Sequence, residues 1–139
     1  MTMLRRVDTS TALQPSPAPA AFVVARRDLE EQTGLVSVAG DLDLSTAPRL
    51  KWVLLESLEA GNTRLVIDLS HVTFMDSTAL GVLVNIKRQF DEDGQLAIVC
   101  AREKILQIFE LSGTDGVFAI HSTLEQALEY VRGQVARAS

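Results

Sequence analysis

The stretch "VIDLSHVTFMDSTALGVLV", residues 66–84, is apolar almost throughout, yet Asp76, Ser77 and Thr78 stand together near its middle. Its first part, with Leu65 before it, is a β-branched run apolar at successive positions, the pattern of a central strand covered on both faces. Its last part has no polar residue from Ala79 to Val84 and reads as a helix from about Ser77 to Phe90, with "HVTFM" as the connection. A strand handing over to a helix in this way is the unit of an α/β fold. The two hydroxyls and the carboxylate fall at the hand-over, where they either cap the helix or form a site beyond the carboxyl end of a strand.

The same alternation continues on both sides. Upstream, "AFVVARRD" predicts an edge strand and "GLVSVAGDLD" a second one, so that this first pair is the natural antiparallel hairpin. "LSTAPRLKWVLLESLEAGN" predicts a helix with Ser45 or Thr46 as its cap, Pro48 in its first turn and Gly61 as its stop. Leu50, Val53, Leu54 and Leu58 recur at the spacing of one buried helical face. Downstream, "DEDG" reads as a turn, "QLAIVC" as a strand, "REKILQIFELSG" as a helix on Ile105, Leu106, Phe109 and Leu111, and "GVFAI" as a last strand. "STLEQALEYVRGQVARA" predicts a closing helix with Ser122 and Glu125 in capping-box spacing. The order β-β-α-β-α-β-α-β-α gives an α/β fold: one domain with a mixed sheet of about five strands packed with about four helices. Residues 1–20, holding three of the four prolines and little that can pack, read as a flexible tail ahead of a domain over residues 21–137.

Charge and chemistry narrow the function. The formal net charge is −5 and basic residues cluster only in pairs such as Arg26-Arg27 and Lys87-Arg88, which argues against a nucleic-acid partner. Cys100, the single cysteine, closes the run "LAIVC" and reads as a small buried hydrophobe. His71 and His121 lack metal-ligand spacing, and the carboxylates of residues 91–93 read as a solvated turn, so no metal and no cofactor are expected. No run is long and apolar enough to insert in a membrane, and "MTMLRRVDTS" is not followed by a hydrophobic segment; these features predict a cytoplasmic, soluble protein. "MDSTALG" lacks the flanking small residues of a nucleophile elbow, and a serine nucleophile needs a base that folding would have to bring in from His71 or His121. A small hydrolase is therefore the weakest reading, and a non-enzymatic role is expected.

Two features speak for a site. A cap needs one side-chain oxygen, whereas Asp76-Ser77-Thr78 supplies three in succession. A helix apolar on every face is either buried all round or leaves apolar surface for a partner, and Gly81 would let another backbone approach. A hydroxyl at such a helix start suits a phosphoryl switch. Phosphate adds about −1.5 to −2 charges, which the helix dipole tolerates while a docked partner does not.

"GDLDLSTA" (40–47), "LVIDLSHVTFMDSTALGVLV" (65–84) and "FELSGTDGVFAIHSTLEQAL" (109–128) resemble, in order and spacing, the STAS domains, and most of all the single-domain bacterial anti-sigma factor antagonists. The resemblance covers about residues 22–135. It implies partner switching, in stress response or sporulation. In that family the antagonist binds an anti-sigma factor, a serine kinase of the histidine-kinase-like ATPase fold, and so releases a sigma factor. The kinase phosphorylates a serine that matches Ser77, and a serine phosphatase reverses this. By the same resemblance Asp43, Asp76, Thr78, Ala79, Leu80 and Gly81 are the expected partner-binding residues. Ala79 stands where the family most often has glycine, and its methyl is expected to alter which partner is accepted. A STAS accessory or scaffold module of a lipid transporter or signalling complex is the alternative.

Overall fold

The computed structural model describes residues 21–90 and 95–138, with side chains as far as residue 133. The tail expected over residues 1–20 and the acidic turn at 91–94 lie outside these. The element order is β1 (Val23–Leu29), β2 (Thr33–Leu42), α1 (Ala47–Glu59), β3 (Arg64–Met75), α2 (Ser77–Lys87), β4 (Leu96–Val99), α3 (Glu103–Ser112), β5 (Ala119–His121) and α4 (Leu124–Ala138). The five strands form one sheet in chain order. β1 and β2 pair antiparallel, and every later neighbour pairs parallel. The fold is the mixed α/β domain that the alternating pattern predicts.

Chain order in a parallel sheet has a consequence. Right-handed crossovers that always step in one direction place their helices on one face. The larger core follows this rule: Val36, Val38, Leu65, Ile67, Leu69 and Ile98 of the sheet meet Leu50 and Leu54 of α1, Leu83 and Ile86 of α2, and Ile105 and Phe109 of α3. The alternate positions Leu35, Val66, Ala97 and Val99 face the other way and pack on Ala127 and Val131 of α4. Burying a leucine or isoleucine side chain contributes roughly 1.5–3 kcal/mol, so each face is held by several such groups.

Three expectations need correction. "HVTFM" is strand, not connection, because β3 runs on to Met75 beside the second half of β2. Register shifts between Ser37 and Ala39, and between Gly40 and Asp41, insert two extra residues on β3, which a period-2 reading cannot anticipate. The cap of α4 is Thr123, whose hydroxyl accepts from the Gln126 N–H at 3.2 Å, one residue later than Ser122. Leu111 is 88% exposed instead of packed, since it lies in the last turn of α3, off the face of Ile105 and Phe109.

Candidate functional site at the start of the second helix

β2 and β3 end side by side, Leu42 opposite Met75, so both following loops emerge at the same corner of the sheet. The loop after β2 is a compact turn around Asp43. Its carboxylate Oδ1 accepts from the Ser45 N–H at 2.9 Å, the Ser45 hydroxyl at 2.7 Å and the Thr46 N–H at 3.2 Å. The Ser45 hydroxyl bond is the main reason the Asp43 carboxyl is held below the usual range. Desolvation opposes it and is the next largest effect, while the backbone bonds from Ser45 and Thr46 and the Thr46 hydroxyl add to the lowering. Thr46 occupies the cap position of α1, but its Oγ1 turns back to accept from the Asp43 N–H at 2.8 Å. The side-chain cap predicted from Ser45 or Thr46 is thus replaced by the Asp43 turn, whose carbonyl accepts from Ala47 N at 2.7 Å.

Asp76 joins this turn to α2. One carboxylate oxygen caps the helix, accepting from the Ala79 N–H at 3.1 Å, and the other accepts from the Leu44 N–H at 3.0 Å. The choice between cap and site is therefore divided by residue. Asp76 is cap and strut at once, while Ser77 and Thr78 are exposed and their hydroxyls hold no hydrogen bond among the described residues. Ser77 is the first residue of α2, so its Oγ stands in solvent where the unpaired N–H groups of a helix start favour negative charge.

The expected partner-binding residues separate into two groups. Asp43, Asp76, Ser77 and Thr78 are brought together by the two loops, and Gly81 continues their exposed side one turn on. Ala79 and Leu80 are not surface residues: Ala79 is 0% and Leu80 7% exposed, both within the core of the three-helix face. The methyl of Ala79 packs inward and presents nothing to a visiting protein, contrary to the expectation for that position. The space around Gly81 is open, with no atom within 4 Å of where a Cβ would lie.

The apolar helix α2 is neither buried all round nor bare. Val82 and Val84 are half-buried, and Val82 forms one wall of a cleft shared with Leu44, Trp52, Leu55 and Thr78. Leu44 is 71% and Trp52 68% exposed, and Phe74, at the end of β3, is exposed as well. Sequence reasoning missed these three. A signal existed for two of them: Leu44 is a large apolar residue inside a polar turn, and Trp52 lies off the Leu50–Leu54 stripe. Among the described residues no group of His, Cys, Asp and Glu could hold a metal ion, and no helix is long and apolar enough to cross a membrane. Cys100 is buried, and burial pushes its thiol up.

The chain is similar to the anti-sigma-F factor antagonist RsfB of Mycobacterium tuberculosis, 32% identical over 116 residues, which cover 84% of this chain and 94% of that one. It is 31% identical over 91 residues to the anti-sigma-B factor antagonist of Staphylococcus aureus, covering 65% and 84% of the two chains. The crystal structure of an anti-sigma factor antagonist from Mycobacterium paratuberculosis superposes with a TM-score of 0.75 at 30% identity, over 83% of this chain and 97% of the other. The STAS domain family matches residues 26–127, which run from the middle of β1 through β5 and take in both loops of the Ser77 corner and the first turn of the last helix. The chain belongs to the STAS domain family.

Proposed function

We propose that the protein is an anti-sigma factor antagonist that acts in the cytoplasm, binds an anti-sigma factor serine kinase of the histidine-kinase-like ATPase fold, and is switched off by phosphorylation of Ser77. The single observation that carries this reading is the exposed Ser77 hydroxyl, without a partner among the described residues, beside an Asp76 carboxylate already committed to Ala79 and Leu44. The names of the M. tuberculosis and S. aureus relatives support it. In the transfer step the Ser77 Oγ forms a bond to the γ-phosphorus of ATP, the bond to the leaving ADP oxygen breaks, and the hydroxyl proton passes to a base on the kinase. A serine phosphatase returns the hydroxyl by adding water across the Ser77 phosphoester.

Because the cap belongs to Asp76, the phosphate leaves the helix intact and acts on association alone. Asp41, Asp43 and Asp76 already lie at this corner, so about two further negative charges change its field strongly. Incubation with the cognate kinase and ATP is expected to add one phosphate, and Ser77→Ala to prevent it. Ser77→Asp is expected to weaken the kinase complex about tenfold or more. Equal affinity of Ser77→Asp and wild type in a titration would falsify the charge switch.

A further inference from the structure

The cleft beside Thr78 does not end at Val82. It continues between α1 and α2 as a groove in which Lys51, Leu55 and Val82 are shared with a second stretch reaching Asn85 and Arg88. Its lining is largely apolar, with half-buried Leu55 and Val82 and the exposed Trp52 and Leu44. Its flanks are cationic: Lys51 and Arg88 are exposed, and neither holds an ion pair among the described residues. No Asp or Glu lines either stretch among the described residues, although the chain as a whole carries −5.

Building on the proposed function, we infer that this groove receives an acidic amphipathic segment of the anti-sigma factor kinase. An apolar side chain of that segment seats against Trp52, Leu55 and Val82, and its carboxylates face Lys51 and Arg88. Charge separates this occupant from the alternatives. Residues 1–20 of the chain itself contain Arg5 and Arg6 against the single acid Asp8, the same sign as the groove's flanks. A second copy docked groove to groove would set Lys51 and Arg88 against like charges. The groove also explains how the switch reaches the contact. Thr78 lines its upper end, so a phosphate on the adjoining Ser77 stands at the mouth and repels an acidic segment.

Trp52 is the single tryptophan of the chain and therefore a reporter inside the groove. The test labels the full chain with fluorotryptophan and titrates it with each anti-sigma factor kinase encoded in the same genome. Affinities are measured in parallel for wild type, Trp52→Ser, the double variant Lys51→Glu/Arg88→Glu and Ser77→Asp. All four side chains are exposed, and thermal melting checks that each variant is folded. Binding is expected to move the fluorine resonance of Trp52. Trp52→Ser and the double reversal are each expected to weaken binding about tenfold or more, with the salt dependence of the wild type reduced in the reversal. Affinities within about twofold of wild type for both groove variants, with Ser77→Asp still weakened, overturn the groove and leave the proposed function standing. Failure of every kinase to bind, or an unweakened Ser77→Asp, overturns that function and this inference with it. A fluorine shift in the free protein on deleting residues 1–20 identifies the chain's own tail as occupant; a shift with protein concentration identifies a second copy. Either result overturns the proposal.

Discussion

Asp76 directs its two carboxylate oxygens to two separate pieces of backbone, the first turn of α2 and the loop after β2. Removing it takes away a helix cap and a tertiary bond together. Asp76→Ala is expected to lower stability by about 1–2 kcal/mol, read as a drop in the urea midpoint at unchanged slope. Asp76→Asn keeps one acceptor and should lose less. Asp43 offers a pH test. Its folded pKa is depressed, chiefly by the Ser45 hydroxyl, so its contribution to stability is complete above its unfolded value, about 3.9, and is lost as pH falls through the lower folded value. Carboxyl-detected NMR should find the Asp43 midpoint below the unfolded value, and Ser45→Ala should move it upward.

At the scale of elements, α2 shows why an apolar run misleads when read by composition alone. Its buried positions Ala79, Leu80, Leu83 and Ile86 follow the helical period, while Ser77, Thr78 and Gly81 mark the side turned to solvent. Gly81 has open space around it and a helical backbone, so Gly81→Ala is expected to stabilise by about 0.5–1 kcal/mol in denaturant titration. Gly40 behaves in the opposite way. Its φ is +96° and a Cβ there would come within 2.9 Å of the Ala21 carbonyl oxygen. Gly40→Ala is expected to destabilise by about 1–2 kcal/mol and to disturb the loop that carries Asp43.

Across the whole molecule, one sheet in chain order gathers α1, α2 and α3 on a single face and leaves α4 to close the other. Fully buried Phe109 meets Phe118 edge-on at 5.7 Å between ring centroids, in the core shared by those three helices. Phe109→Ala is expected to cost about 3–5 kcal/mol in a single cooperative unfolding transition. Ser77→Asp, at an exposed helix start, should leave stability within about 0.5 kcal/mol of wild type while changing association. The two variants together separate what holds the fold from what the fold presents.

Local pattern was enough to place nine elements in order, the antiparallel first pair, Ser77 at a helix start and Cys100 inside. Each of these follows from hydrophobic period, cap chemistry or chain connectivity, all of which act over a few neighbouring residues. The extension of β3 by two bulges, the bond from Asp76 to Leu44 and the cleft that Leu44 and Trp52 share with Val82 were decided by tertiary structure. They depend on which residues distant in sequence meet across the β2–β3 register and between α1 and α2, and no periodicity within a single segment encodes that meeting.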